Sequence, residues 1–222
     1  MSKLPERILV LGTGHGVGKT IVAAALAASS RVQVRSLKPI TTGVPDDETC
    51  PDAEFIADAA GHDPQVLYSW APDRPPHRAA SLTGKEAVLG EVLAWIREQQ
   101  CPSLIVEGYG GWREPIGLNW CVSDVARGLG FPVLLVSNNE RGVINKTLLH
   151  LEAIRSDGVS VYGVVINETR PPDVSGLDNS PDVVHDLTEL IPHLPVVSMP
   201  FIHMIGQSEL TEAGKSLRTN LG

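Results

Sequence analysis

Ile8-Leu9-Val10-Leu11-Gly12-Thr13-Gly14-His15-Gly16-Val17-Gly18-Lys19-Thr20 is the stretch on which the reading of this chain turns. Four apolar residues suit a buried strand, the glycines suit a tight loop, and the alanine-rich Thr20 to Ser29 segment suits a helix. Backbone N–H groups in such a loop, backed by a helix N-terminus, form a concave anion site. Gly12, Thr13, Gly16, Val17 and Gly18 are expected to cradle the phosphates of a nucleoside triphosphate. Lys19 would reach the β- and γ-phosphates, and the Thr20 hydroxyl would ligate Mg²⁺. The common P-loop puts four residues between its first Gly and the Gly-Lys-Thr. Here Thr13 holds that first position, and the glycine lies one residue earlier at Gly12. The rival dinucleotide fingerprint GxGxxG fails in both registers, because Val17 and Lys19 stand where its last glycine belongs.

Outward from this loop, short apolar runs alternate with segments of helical period. Val32 to Leu37, Ser103 to Val106, Pro132 to Val136, Val161 to Ile166 and Pro195 to Met199 read as strands. Lys85 to Gln100 and Gly142 to Ile154 read as helices. Strands apolar on both faces and separated by helices predict an α/β fold of the P-loop NTPase type. It is a mostly parallel sheet with helices on both faces, in a single domain over residues 1–222. Gly43 to Ala80 is expected to be an excursion over the active-site edge, and Thr169 to Pro181 a second loop.

Composition narrows the class. The chain has 222 residues, 42% of them hydrophobic, and 26 acidic against 18 basic side chains give a net charge of −8. That length supports a core without staples, and the acidic balance argues against a nucleic-acid surface. No apolar run approaches the roughly 20 residues of a membrane span, and the N-terminus is too short in apolar residues for a signal peptide. Cys50, Cys101 and Cys121 are scattered and form no CxxC pair, which fits a reducing cytoplasm.

The polar residues at the ends of the strands carry the chemistry. Lys38-Pro39-Ile40-Thr41-Thr42-Gly43 follows the second strand and can aim a cation into the ligand crevice, where open α/β sheets bind their ligands. Glu107 ends the apolar run Leu104-Ile105-Val106, the place where P-loop enzymes hold Mg²⁺, and Asp52 is a second candidate ligand. Gly108, Gly110 and Gly111 around Tyr109 form a turn whose bare backbone permits close approach of a substrate. Trp112 reads as either a pocket wall or simple packing, the wall being slightly favoured.

The order of these motifs resembles the dethiobiotin synthetase family, ATP-dependent enzymes that close the ureido ring in biotin synthesis. The likeness rests on the long-spaced P-loop, Lys38-Pro39…Gly43, Asp52, Pro76-His77, Glu107-Gly108…Gly110-Gly111 with Pro115, Gly142…Ile144-Asn145 and Asn167. It implies ATP and Mg²⁺ as cofactors, with a diamine and CO₂ as substrates. Carried over, Lys19 and Lys38 neutralise the γ-phosphate and a carbamate, Thr42 hydrogen-bonds the carbamate, and Thr20, Asp52 and Glu107 hold Mg²⁺. Asn167 reads the adenine, helped by the loop after Met199. The segment Gly142, Val143, Ile144 and Asn145 receives the substrate carboxylate across a homodimer interface. His15, Tyr109 and Gly110 face the substrate.

The departures from the family pattern also lie there. Gly14 and His15 replace the usual Asp-Thr, Tyr109 replaces a small residue, and Lys146 replaces a frequent His. His15 is either a replacement ligand or a residue tolerated for its size. These differences leave open the same chemistry on another amine or carboxylate. Partition ATPases share parts of the pattern, so a nucleotide-dependent switch is a further alternative. Those proteins usually carry additional domains or a signature lysine near the start of the loop, and Thr13 and Gly14 offer no such lysine.

Overall fold

Apolar residues alternate between two cores along each central strand. In β1 (Arg7–Gly12), Ile8 and Val10 face one core and Leu9 and Leu11 the other, each at most 1% exposed. The same alternation runs through β5 (Ser103–Glu107) and β6 (Val133–Asn138), and it demands a sheet covered on both sides. The computed structural model describes residues 4–171 and 180–222. With β2 (Val34–Leu37), β7 (Val161–Asn167) and β8 (Val196–Met199) it forms a six-stranded sheet in the order β2-β5-β1-β6-β7-β8. Every pairing is parallel.

One face is packed by α1 (Lys19–Ala28), α2 (Pro51–Ala60) and α8 (Gln207–Leu221). The other is packed by α3 (Pro76–Thr83), α4 (Leu89–Arg97), α5 (Val122–Leu129), α6 (Val143–Ser156) and α7 (Ser180–Leu190). A fully buried Ile, Leu or Val contributes about 1.5–3 kcal/mol. The central strands therefore carry much of the core, and the glycine loop and Glu107 lie at their carboxyl ends.

Several elements differ from the sequence reading. The Gly43 to Ala80 stretch carries α2, the strand β4 (Tyr68–Trp70) and most of α3, and β4 pairs in parallel with β3 (Ile40–Thr42) as a separate two-stranded sheet. The α4 helix begins only at Leu89. The backbone before it is held by β4 aromatics: Trp70 Nε1 donates to the Lys85 carbonyl at 2.7 Å, and the Val88 N–H donates to the Tyr68 hydroxyl at 3.3 Å. β2 begins two residues later than expected, because Val32 is 47% exposed and precedes the sheet. The helices α5, α7 and α8 were not read from the sequence. The expected loop at Thr169 to Pro181 lies mostly outside the described residues, and α7 already includes Ser180. Among the described residues no helix is long and apolar enough to cross a membrane.

Candidate active site

The loop after β1 is positioned from three sides. The Thr13 N–H donates to the Val136 carbonyl at 2.9 Å, and Thr13 Oγ1 lies 2.9 Å from Ser137 Oγ, which ties the loop to the end of β6. Val17 is buried, and its carbonyl accepts from Asn167 Nδ2 at 3.0 Å. Gly18 caps α1 with φ +92°, and a Cβ there would stand 2.0 Å from Asn167 Nδ2. Gly12 is equally constrained, since its Cβ would meet Val17 Cγ2 at 2.7 Å. Gly16 lies at the exposed crest with φ +69°. Lys19 Nζ donates to the Gly14 carbonyl at 2.7 Å, inside the concavity that its own loop makes.

Sheet order brings the charged residues together. Leu37 of β2 is in register with Val106 of β5, so Lys38 and Glu107 leave adjacent strand ends side by side. Lys38 Nζ donates to Glu107 Oε1 and, at 3.0 Å, to Asp52 Oδ2. Thr20 Oγ1 donates to the same Glu107 oxygen at 3.0 Å. The Glu107 side chain is fully buried while that of Asp52 is half exposed, so the Glu107 pair matters more. Burial acts to lower the Lys38 pKa, but Glu107 and Asp52 outweigh it and hold the group above the ordinary lysine range. The Lys19 pKa is lowered to about 8, first by burial and then by Lys38, with Glu107, Asp52 and Glu114 opposing.

The second oxygen of Glu107, Oε2, is buried with no hydrogen-bond partner among the described residues. A buried carboxylate oxygen in that state calls for a cation or donor. Thr20, Asp52 and Glu107 offer hard oxygen donors, which suit Mg²⁺, and that ion takes the rest of its shell from water and phosphate. No group of three or more His, Cys, Asp or Glu side chains is placed to hold a metal among the described residues.

The residues expected on the substrate side also meet. Thr42 Oγ1 lies 2.7 Å from the Tyr109 hydroxyl, and the Tyr109 ring stands edge-on to His15 with centroids 4.8 Å apart. Burial raises the Tyr109 pKa, so the phenol stays protonated. Gly110 is buried, and its φ of +55° turns the chain beneath this cluster. Glu114, which the sequence reading did not single out, completes the group: its Oε2 is 3.4 Å from His15 Nε2. It lies between Gly111 and Pro115 of the family pattern, at a position that pattern does not mark, so the sequence reading passed over it.

Other expected residues stand apart. Gly142, Val143, Ile144 and Asn145 open α6 beyond the end of β6, with Val143 buried and Asn145 exposed. Among the described residues no hydrogen bond or ion pair joins them to the Lys19–Lys38–Glu107 cluster. Lys146 instead pairs with Glu140. Asn167 is 3% exposed and braces the glycine loop through Val17. Trp112 is not a pocket wall. It is 2% exposed in the core, and its Nε1 donates to Asp157 Oδ2 at 2.8 Å, which anchors the turn after β5 to the end of α6.

The lowered Lys19 pKa has a measurable consequence. With Lys19 as the expected phosphate ligand, a bound phosphate would favour its charged form, so nucleotide binding would raise that pKa and take up a proton when the free lysine is neutral. Metal-free ATP affinity should be flat below pH 8 and fall by up to about tenfold per pH unit above it. Titrations in chelator from pH 7 to 9.5 check this, and a constant affinity would rule out Lys19 as the phosphate ligand.

A family model described as an AAA domain matches residues 6–207. The ATP-dependent dethiobiotin synthetase of Bacillus velezensis is 34% identical over 213 residues, covering 88% of this chain and 91% of that protein. The ATP-dependent dethiobiotin synthetase of Anaeromyxobacter sp. strain K is 31% identical, covering 97% and 96%. Among solved structures, the cell division ATPase MinD of Pyrococcus furiosus superposes with a TM-score of 0.55 at 17% identity, covering 97% of this chain and 99% of that one. At that identity the likeness concerns the fold alone.

Proposed function

Because the chain belongs to the ATP-dependent dethiobiotin synthetase family, we propose that it uses ATP, Mg²⁺ and CO₂ to close 7,8-diaminononanoate to dethiobiotin. The observation that carries this reading is the convergence of Lys19, Thr20, Lys38, Asp52 and Glu107 in one crevice, with Thr42 and Tyr109 beside it. A pure nucleotide switch has no use for the second, buried lysine.

One substrate amine adds to CO₂ and loses a proton, giving a carbamate. A carbamate oxygen then takes the γ-phosphoryl group of ATP and ADP leaves, so that a carbamic-phosphoric anhydride forms. The second amine attacks the carbonyl carbon, its proton and inorganic phosphate depart, and the ring is closed. The ammonium of Lys38 has three N–H donors. Glu107 and Asp52 engage two of them, and the third is available to the carbamate. The Thr42 hydroxyl is a second donor to that oxygen, and Lys19 balances the charge shed by the γ-phosphate. Thr20, Asp52 and Glu107 would hold Mg²⁺, which when bound neutralises phosphate oxygens. Glycine-loop N–H groups position the triphosphate so that phosphoryl transfer is in line. In this reading the protein is a cytoplasmic homodimer, and the start of α6 over Gly142 to Asn145 receives the substrate carboxylate from a neighbouring subunit.

The placement of Tyr109 and His15 supports a second reading, the same chemistry on a different amine, because both side chains narrow the substrate side. ADP release with ATP, Mg²⁺ and bicarbonate, with and without 7,8-diaminononanoate, separates the two. Strong stimulation with dethiobiotin among the products is the expected result. A folded, ATP-binding protein that this diamine does not stimulate would have a different substrate.

A further inference from the structure

Glu114 has no task in the scheme above, yet it is built into the substrate side. Its backbone is fixed, with its N–H donating to the Gly111 carbonyl at 3.1 Å and its carbonyl accepting from the Val122 N–H at 3.1 Å. Its side chain folds over Gly110, where a Cβ would stand only 2.5 Å from Oε2. Among the described residues its one ion-pair partner is His15, at 3.4 Å, and that contact is an ion pair only when the imidazole is protonated. The two lysines of the site are engaged elsewhere, Lys38 with Glu107 and Asp52 and Lys19 with the Gly14 carbonyl.

A carboxylate this near the phosphate loop repels the triphosphate unless a cation lies between them. Aliphatic amines are ammonium ions at neutral pH, with pKa values of about 10.4 in the lysine case. The ring of Tyr109 and the imidazole of His15 wall the same space, and an aromatic face attracts an ammonium group. On the synthetase reading, we propose that Glu114 is a specificity-determining residue, the counter-ion that recognises a substrate ammonium and so selects diamines over monoamines. The contact serves binding and discrimination, and the ammonium gives up its extra proton to water before its nitrogen reacts as a free amine. A cyclic urea product carries no charge on either nitrogen, so the group that captures the substrate does not retain the product.

The test is Glu114→Gln, an isosteric change that keeps hydrogen bonding and removes the charge. Circular dichroism checks that the variant is folded. Affinities are measured calorimetrically for ATP·Mg²⁺, 7,8-diaminononanoate, 1,2-diaminopropane and 1-aminopropane, alongside ADP release. Diamine affinity should fall about tenfold or more, 1-aminopropane should change less, and ATP affinity should be unchanged or higher. Dethiobiotin formation by the wild type with an unaltered diamine KM in the variant overturns the role of Glu114 and leaves the synthetase reading intact. Loss of 1,2-diaminopropane binding in the variant, with no dethiobiotin from the wild type, keeps the role and discards that reading. Absence of diamine binding by the wild type, or an equal loss of ATP affinity in the variant, also overturns the role.

Discussion

Lys38→Ala is expected to lower kcat by at least about a hundredfold while ATP affinity stays within a few-fold of the wild type. The reason is position: Lys38 is 5% exposed at the end of β2, joined to Glu107 and Asp52, while Lys19, the proposed phosphate ligand, belongs to the separate glycine loop. The substitution has a second effect. Glu107 is 1% exposed, and without Lys38 its charge is left buried beside only the Thr20 hydroxyl. Breaking a buried pair from one side costs about 3–5 kcal/mol, so the melting temperature should drop in chelator. On the proposed function, binding of Mg²⁺ and ATP to the folded protein should recover part of that loss. Assays of ADP release at saturating ATP, together with nucleotide titrations and melting curves, read all three. Weakened ATP binding with normal turnover at saturation would falsify the assignment of Lys38 to the carbamate side.

Gly18→Ala should abolish measurable ATP binding and destabilise the protein by at least about 2 kcal/mol. Two causes act together. The residue sits at φ +92°, where a Cβ is strained, and the new methyl would stand 2.0 Å from Asn167 Nδ2. Asn167 cannot withdraw without giving up its hydrogen bond to the Val17 carbonyl, so the damage spreads through the glycine loop proposed to cradle phosphate. Gly14→Ala is the control in the same loop. Nothing lies within 4 Å of its would-be Cβ and its φ is not positive, so its stability should change by less than about 0.5 kcal/mol. Equal melting temperatures and ATP affinities for the two variants would sink the argument.

The central strands were legible because they are apolar on both faces, end in glycine or polar residues and alternate with helical segments, a pattern that suits a buried parallel sheet. The α5 helix was not, being eight residues long and opened by Cys121, whose N–H donates to Asp124 Oδ2 at 2.8 Å. The small β3–β4 sheet escaped for a similar reason: three-residue strands have no detectable period, and Trp70 is buried by tertiary packing.

Local sequence determined the glycine loop, since strand, glycines, Lys19 and Thr20 are contiguous and backbone N–H groups in such a loop suit an anion. It also determined that Lys38 and Glu107 end strands. Strand order lies beyond local sequence, and it was the tertiary structure that put β5 between β2 and β1 and so set these two residues side by side. The same holds for Glu114, whose meaning depends on Gly110 beneath it and His15 across the crevice, about a hundred residues away along the chain. Short-range pattern chooses the elements because backbone geometry and burial act residue by residue. Charge pairing across the crevice depends on which strands are neighbours, and packing of the whole chain settles that.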